Sequence, residues 1–150
     1  MKGITVSFSE AVRMELGLEA VKEYPSECCG ILLGVVDDQG NTKVTKVIPM
    51  KNNLMKDSDR KHYIIDPIKL YETERDYKET DREVIGFYHS HPDALAIPSV
   101  EDEEGMIPEM IYLITEVRNG KDTGLRGYIR GLDRDSLQEL EITTYGGFLR

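Results

Sequence analysis

Residues Gly86–Asp102 read GFYHSHPDALAIPSVED, and the rest of the chain is interpreted outward from them. The apolar run Val84-Ile85-Gly86-Phe87-Tyr88 predicts a buried strand. His89 and His91 follow directly, two apart, and on a strand such residues point to one face. The two imidazoles therefore project side by side from one strand end, where long side chains can converge on a single ion. Pro92 ends the strand because it has no N–H to give to a ladder. After a loop come Ser99 and Asp102, spaced Ser-x-x-Asp. Asp102 can supply a hard oxygen as third ligand, which leaves the fourth position of a zinc ion open to water. Three protein ligands and one open position is the layout of a catalytic zinc.

The same residues also have an ordinary structural reading. Ser-x-x-Asp opening an acidic run is a helix N-cap, with Asp near the positive end of the dipole. Paired histidines on a strand are often surface or satisfied core residues. What favours the metal is concentration, since two of the chain's only three histidines fall in this stretch. The two readings are also compatible, because a helix N-terminus is a good way to fix Ser99 and Asp102. Ser90 points to the opposite face from the histidines and is excluded from a Ser-His pairing.

The whole chain has 150 residues, 39% hydrophobic and 31% charged, the composition of one globular domain spanning residues 1–150. Its net charge of −9 argues against non-specific nucleic-acid binding and against an anionic membrane surface. No apolar run approaches the roughly 20 residues of a membrane span, and no signal peptide is evident, so a cytoplasmic location is expected. Cys28 and Cys29 are adjacent, and strand neighbours point to opposite faces, so they are read as reduced, buried small hydrophobes.

In chain order, Met1–Phe8 is expected as a first strand and Ser9 as the cap of a helix ended by Tyr24-Pro25. The apolar face of that helix, Val12, Leu16, Leu18, Ala20 and Val21, is only approximate, and Gly17 weakens its middle. Cys28–Val36 reads as a central strand buried on both faces, and DDQGN (Asp37–Asn41) as a turn into a hairpin strand at Thr42–Pro49. Lys51–Arg60 is a polar loop, His62–Ile65 a short strand, and Asp66-Pro67 opens a helix to about Arg82. His62 is read as a surface or strand-end residue with no part in the site. Glu101–Glu104 is an acidic helical turn, Met110–Val117 a buried strand, Asn119-Gly120 a tight turn, and Leu125–Ile129 and Leu137–Thr144 closing strands. Helices interspersed with hairpin-connected strands make a mixed α/β (α+β) class.

His89-x-His91, seven residues, Ser99, two residues and Asp102 together match the H-x-H-x7-S-x2-D signature of the JAMM (MPN-plus) metallopeptidases at every defined position. Glu27, in YPSECCGILLG (Tyr24–Gly34), resembles the upstream glutamate of small prokaryotic members. Spacing alone would leave Glu27 a solvated loop residue. The resemblance makes it the general base and acid, placed beside the motif strand if the two strands are neighbours. It further implies a curved, mixed, largely antiparallel sheet flanked by helices, of cytidine-deaminase-like architecture. One zinc per chain is implied, held by His89, His91 and Asp102, with Ser99 stabilising the oxyanion. The implied substrate is an amide or isopeptide bond after the C-terminal Gly-Gly of a ubiquitin-like or sulfur-carrier protein. The alternatives are a metal-free interaction scaffold of the same fold, which typically lacks the ligands, and a RadC-like domain, disfavoured by the acidic charge. The loop Asp93–Pro98, DALAIP, departs from the family in being apolar, so Leu95 and Ile97 are candidates to touch substrate or a second copy.

Overall fold

Among the described residues, seven strands and three helices follow in the order β1 (Thr5–Ser9), α1 (Glu10–Glu23), β2 (Cys29–Val36), β3 (Thr42–Met50), α2 (Pro67–Tyr77), β4 (Glu83–Pro92), α3 (Val100–Gly105), β5 (Ile111–Arg118), β6 (Lys121–Arg130) and β7 (Leu137–Tyr145). The structure, a computed structural model, describes residues 4–51, 65–133 and 136–146. The expected loop Lys51–Arg60, apart from Lys51, and the expected strand His62–Ile65, apart from Ile65, lie outside the described residues. Among the described residues, no helix is long and apolar enough to cross a membrane.

The strands run β1-β3-β2-β4-β5-β6-β7, and β1 also pairs with β7, so the sheet closes into a barrel. This corrects the expectation of a curved sheet, while its mixed, largely antiparallel pairing is as expected. β1 lies parallel to both its neighbours, with Val6 opposite Thr42 on β3 and opposite Ile142 on β7. The closing contacts join residues more than 130 positions apart, which no local pattern announces. The other pairings are antiparallel except β4–β5, where Gly86 faces Ile111. A Cβ on Gly86 would lie 1.9 Å from the Ile111 carbonyl oxygen, so only glycine lets these backbones meet there.

Helix α1 begins at Ser9, whose hydroxyl accepts the Val12 N–H at 3.2 Å. Its buried stripe is Val12, Leu16 and Ala20, four apart, packed with Val6, Phe8, Leu32, Val44 and Leu113. Leu18 and Val21, counted above into that stripe, face outward instead, 65% and 37% exposed. Gly17 is buried. It lets Asp122 of β6 close on the helix, where the carboxylate pairs with Arg13 at 2.8 Å. A second core cluster lies on the other face of the central strands, with Cys29, Ile31, Leu33, Phe87, Tyr112, Ile114 and Tyr128. β2 is thus buried on both faces, as its unbroken apolar run requires.

Helix α2 stops at Tyr77 and not near Arg82, because Thr80 turns the chain: its hydroxyl donates to the Tyr77 carbonyl at 2.8 Å and accepts the Arg82 N–H at 3.2 Å. β6 is longer than expected, Lys121–Arg130. The Asn119-Gly120 turn, with φ of 51° and 78°, matches the twist of the paired strands and lets pairing start at the turn.

Candidate metal centre

β4 lies between β2 and β5, and its last turnover of residues is fully sequestered: His89 is 1% exposed, Ser90 0% and His91 8%. Alternation sends both imidazoles to one face, as expected. Their Nε2 atoms stand 3.3 Å apart. Asp102 arrives from α3, a six-residue helix organised by a capping box. Ser99 Oγ accepts the Asp102 N–H at 3.0 Å, and Asp102 Oδ2 accepts the Ser99 N–H at 2.9 Å. That same Oδ2 lies 2.9 Å from His91 Nε2 and 3.2 Å from His89 Nε2. The cap therefore aims the carboxylate at the histidine pair, so the cap and a ligand role for Asp102 are compatible.

The donor set suits a tetrahedral ion. Ligands about 2.0–2.1 Å from one zinc lie about 3.3 Å from each other, close to the three observed separations. Two neutral imidazole nitrogens and one carboxylate oxygen are the ligand types zinc takes. His91 Nδ1 lies 2.7 Å from the Leu95 carbonyl oxygen, which can only accept, so Nδ1 carries the proton and Nε2 turns its lone pair to the centre.

The protonation energetics follow from burial and proximity. Burial penalises a charged Asp102, but its hydrogen bonds to His89 and His91 outweigh this and hold the carboxyl far below the usual carboxylate range. Burial lowers His89. Burial also works to lower His91, yet the bonds to Asp102 and Leu95 and the nearby carboxylate charges turn its net shift upward.

Glu27 lies just ahead of β2 and is buried, 4% exposed. The β2–β4 register pairs Cys29 with His89, and the Ser90 N–H continues it by donating to the Cys28 carbonyl at 3.1 Å. Glu27 directly precedes this Cys28–Ser90 contact, two residues before the first β2 residue that pairs with β4. The segment is fastened on both sides. Ser90 Oγ accepts the Cys28 N–H at 2.8 Å, and the Tyr24 hydroxyl donates to Asp93 at 2.6 Å. Ser90 does face away from the histidines, and what the sequence reading missed is its role as a clamp. The available signal was that a hydroxyl in a buried strand has to find a partner. Cys28 and Cys29 are both free thiols and buried. Burial pushes Cys28 well above the ordinary thiol range and Cys29 up to about 12, so both are protonated.

A model of the prokaryotic homologues of the JAB domain matches residues 9–127. The chain belongs to this family. That match spans β4 and α3, which bring His89, His91 and Asp102 together, and also the segment that carries Glu27. A curated relative from Haloferax volcanii, Desampylase, is 32% identical over 96 residues. That match covers 63% of this chain and 66% of the relative, just under two thirds of its length. Two proteins solved in solution are similar over most of both chains. The one from Desulfitobacterium hafniense has a TM-score of 0.79 at 25% identity, covering 95% of this chain and 94% of its own. The one from Salinibacter ruber has a TM-score of 0.70 at 28% identity, covering 92% and 90%. A JAB1/MPN domain protein from Archaeoglobus fulgidus, crystallised, shares the fold at a TM-score of 0.54 and 16% identity, covering 93% and 99%.

The loop Asp93–Pro98 is anchored at its middle. Ala96 is buried, with its carbonyl accepting from the Tyr128 hydroxyl at 2.7 Å, while Leu95 and Ile97 on either side are 56% and 47% exposed. His62 lies outside the described residues.

Proposed function

We propose that this JAB-family chain is a single zinc-dependent peptidase domain that hydrolyses the amide or isopeptide bond after the Gly-Gly tail of a ubiquitin-like or sulfur-carrier protein. The observation that carries the reading is the convergence of His89, His91 and Asp102, whose ligand atoms all lie within 4.8 Å of one another. A zinc ion held there supplies Lewis acidity, which acidifies water and polarises a carbonyl. Glu27, buried just ahead of the strand whose first residue pairs with His89, takes the proton from the attacking water and delivers it to the departing amine. Ser99 spends the acceptor side of its hydroxyl on the Asp102 N–H, which leaves its proton to donate to the developing oxyanion. The desampylase relative supports a substrate of the ubiquitin-like class. A slender diglycine tail is the segment that an extended-strand binding mode accepts without side-chain pockets.

The test is zinc content together with cleavage of a diglycine-ended ubiquitin-like fusion, for wild type and Glu27→Gln. We expect one zinc per chain in both proteins and cleavage by wild type only, the variant losing at least about 100-fold as a missing general base should. Wild type that takes up no zinc after careful loading would overturn the peptidase reading in favour of a scaffold.

A further inference from the structure

One peptide group bridges the centre and a carboxylate that lies outside it. The Leu95 carbonyl accepts from His91 Nδ1 at 2.7 Å, and the N–H of the same peptide, that of Ala96, donates to Glu116 Oε1 at 3.2 Å. Glu116 is His91's own register partner across the parallel β4–β5 ladder. Its other oxygen is fixed by Arg118 Nε at 2.8 Å and Thr123 Oγ1 at 3.0 Å, so the carboxylate cannot swing away. Tyr128, buried beneath the loop, holds the next carbonyl.

We propose that Glu116 is a positioning residue that acts on His91 through the Leu95–Ala96 peptide. The amide is conjugated, so an anion bonded to its N–H pushes electron density onto its carbonyl oxygen, which then accepts more strongly from His91 Nδ1–H. A stronger bond at Nδ1 fixes the tautomer and raises the donor strength of Nε2, the nitrogen turned toward Asp102 and His89. The arrangement is a carboxylate–histidine pair with one peptide inserted between its members. The proposal rests on the zinc reading above and adds a residue that the motif does not contain.

The test uses the full chain. Glu116→Gln keeps an oxygen able to accept from Ala96 N–H but removes the charge, and Arg118→Gln keeps the charge but removes its ion-pair partner. Zinc affinity is read by competition with a chromogenic chelator, and the His91 ring by long-range proton–nitrogen spectra of the zinc-loaded protein. We expect Glu116→Gln to bind zinc about tenfold more weakly, with the His91 Nδ1 proton resonance moved upfield, and Arg118→Gln to bind no more weakly than wild type. Unchanged affinity and an unmoved resonance in Glu116→Gln would overturn the proposal, as would equal weakening by both variants, which would mean loop anchoring alone. If Glu116→Gln does not fold, wild type still decides: a zinc-loaded His91 without a proton on Nδ1 refutes the relay. Wild type that binds zinc while these signals fail sinks this proposal only, whereas wild type that binds no zinc sinks the zinc reading as well.

Discussion

Replacing Ser90 by alanine removes one oxygen from a site that solvent never reaches. Ser90 is 0% exposed, and its Oγ is the acceptor for the Cys28 N–H at 2.8 Å. Alanine leaves that buried N–H without this acceptor, a loss of about 1–3 kcal/mol. The neighbouring bond from Ser90 N–H to the Cys28 carbonyl is backbone and survives, so the register of β2 against β4 is kept. With a central value of about 2 kcal/mol and roughly 2–4 °C per kcal/mol for a chain of this size, the melting temperature should fall by about 4–8 °C. The consequence for chemistry is selective. Cys28 adjoins Glu27, whereas His89 and His91 lie on the far face of β4, so zinc content should stay at the wild-type level while kcat falls. Thermal unfolding, zinc stoichiometry and cleavage of a diglycine fusion test the three parts separately. A melting temperature within about 1 °C of wild type would refute the energetic argument. Zinc lost in step with activity would refute the division of β4 into a clamping face and a metal face.

Two other substitutions probe the framework behind the motif strand. Gly30→Ala places a Cβ 2.3 Å from the ring of Tyr88, which is buried and tied to Glu19 through its hydroxyl at 2.5 Å. With the ring unable to swing, the cost should reach the upper end of overpacking, about 3 kcal/mol in urea unfolding, and should shrink in a Tyr88→Leu background if the clash is its source. Glu19 itself is pushed up to about 7 from 4.5, chiefly by burial. A carboxyl whose pKa is higher folded than unfolded binds its proton more tightly in the native state, so its contribution is full below pH 4.5 and is lost as pH rises toward 7. The shift corresponds to about 3 kcal/mol at most, and solvent screening at this half-buried position reduces it to about 1 kcal/mol. Wild type measured against Glu19→Gln should therefore lose about 1 kcal/mol between pH 4.5 and 7.5, and a pH-independent difference would show that Glu19 titrates normally.

Much of the centre was legible because it depends on bonds between near neighbours. The period of two on a strand puts His89 and His91 on one face whatever the strand packs against. A Ser-x-x-Asp capping box forms within four residues, and Asn119-Gly120 carries its own turn geometry. Side chains were less legible where only tertiary context decides what covers them. Leu18 and Val21 fit an apolar helical stripe as well as Leu16 does, yet the sheet reaches only one side of α1. Composition also made Leu95 and Ile97 visible as unusual without showing that Ala96 between them is the loop's anchor.

The sequence by itself thus determined the residue types of the candidate centre, the common strand face of the two histidines, the cap that aims Asp102, and the interspersion of strands and helices. These follow from backbone sterics and hydrogen bonds that span a few residues. Only the tertiary structure decided that β1 closes the sheet into a barrel, that Glu27 is buried at the entry to a strand paired with β4, and that Glu116 bonds the peptide that His91 also bonds. Those outcomes depend on which strands pair across separations of about twenty to more than a hundred residues. That choice is made by the shared burial of the whole core, which no single segment encodes.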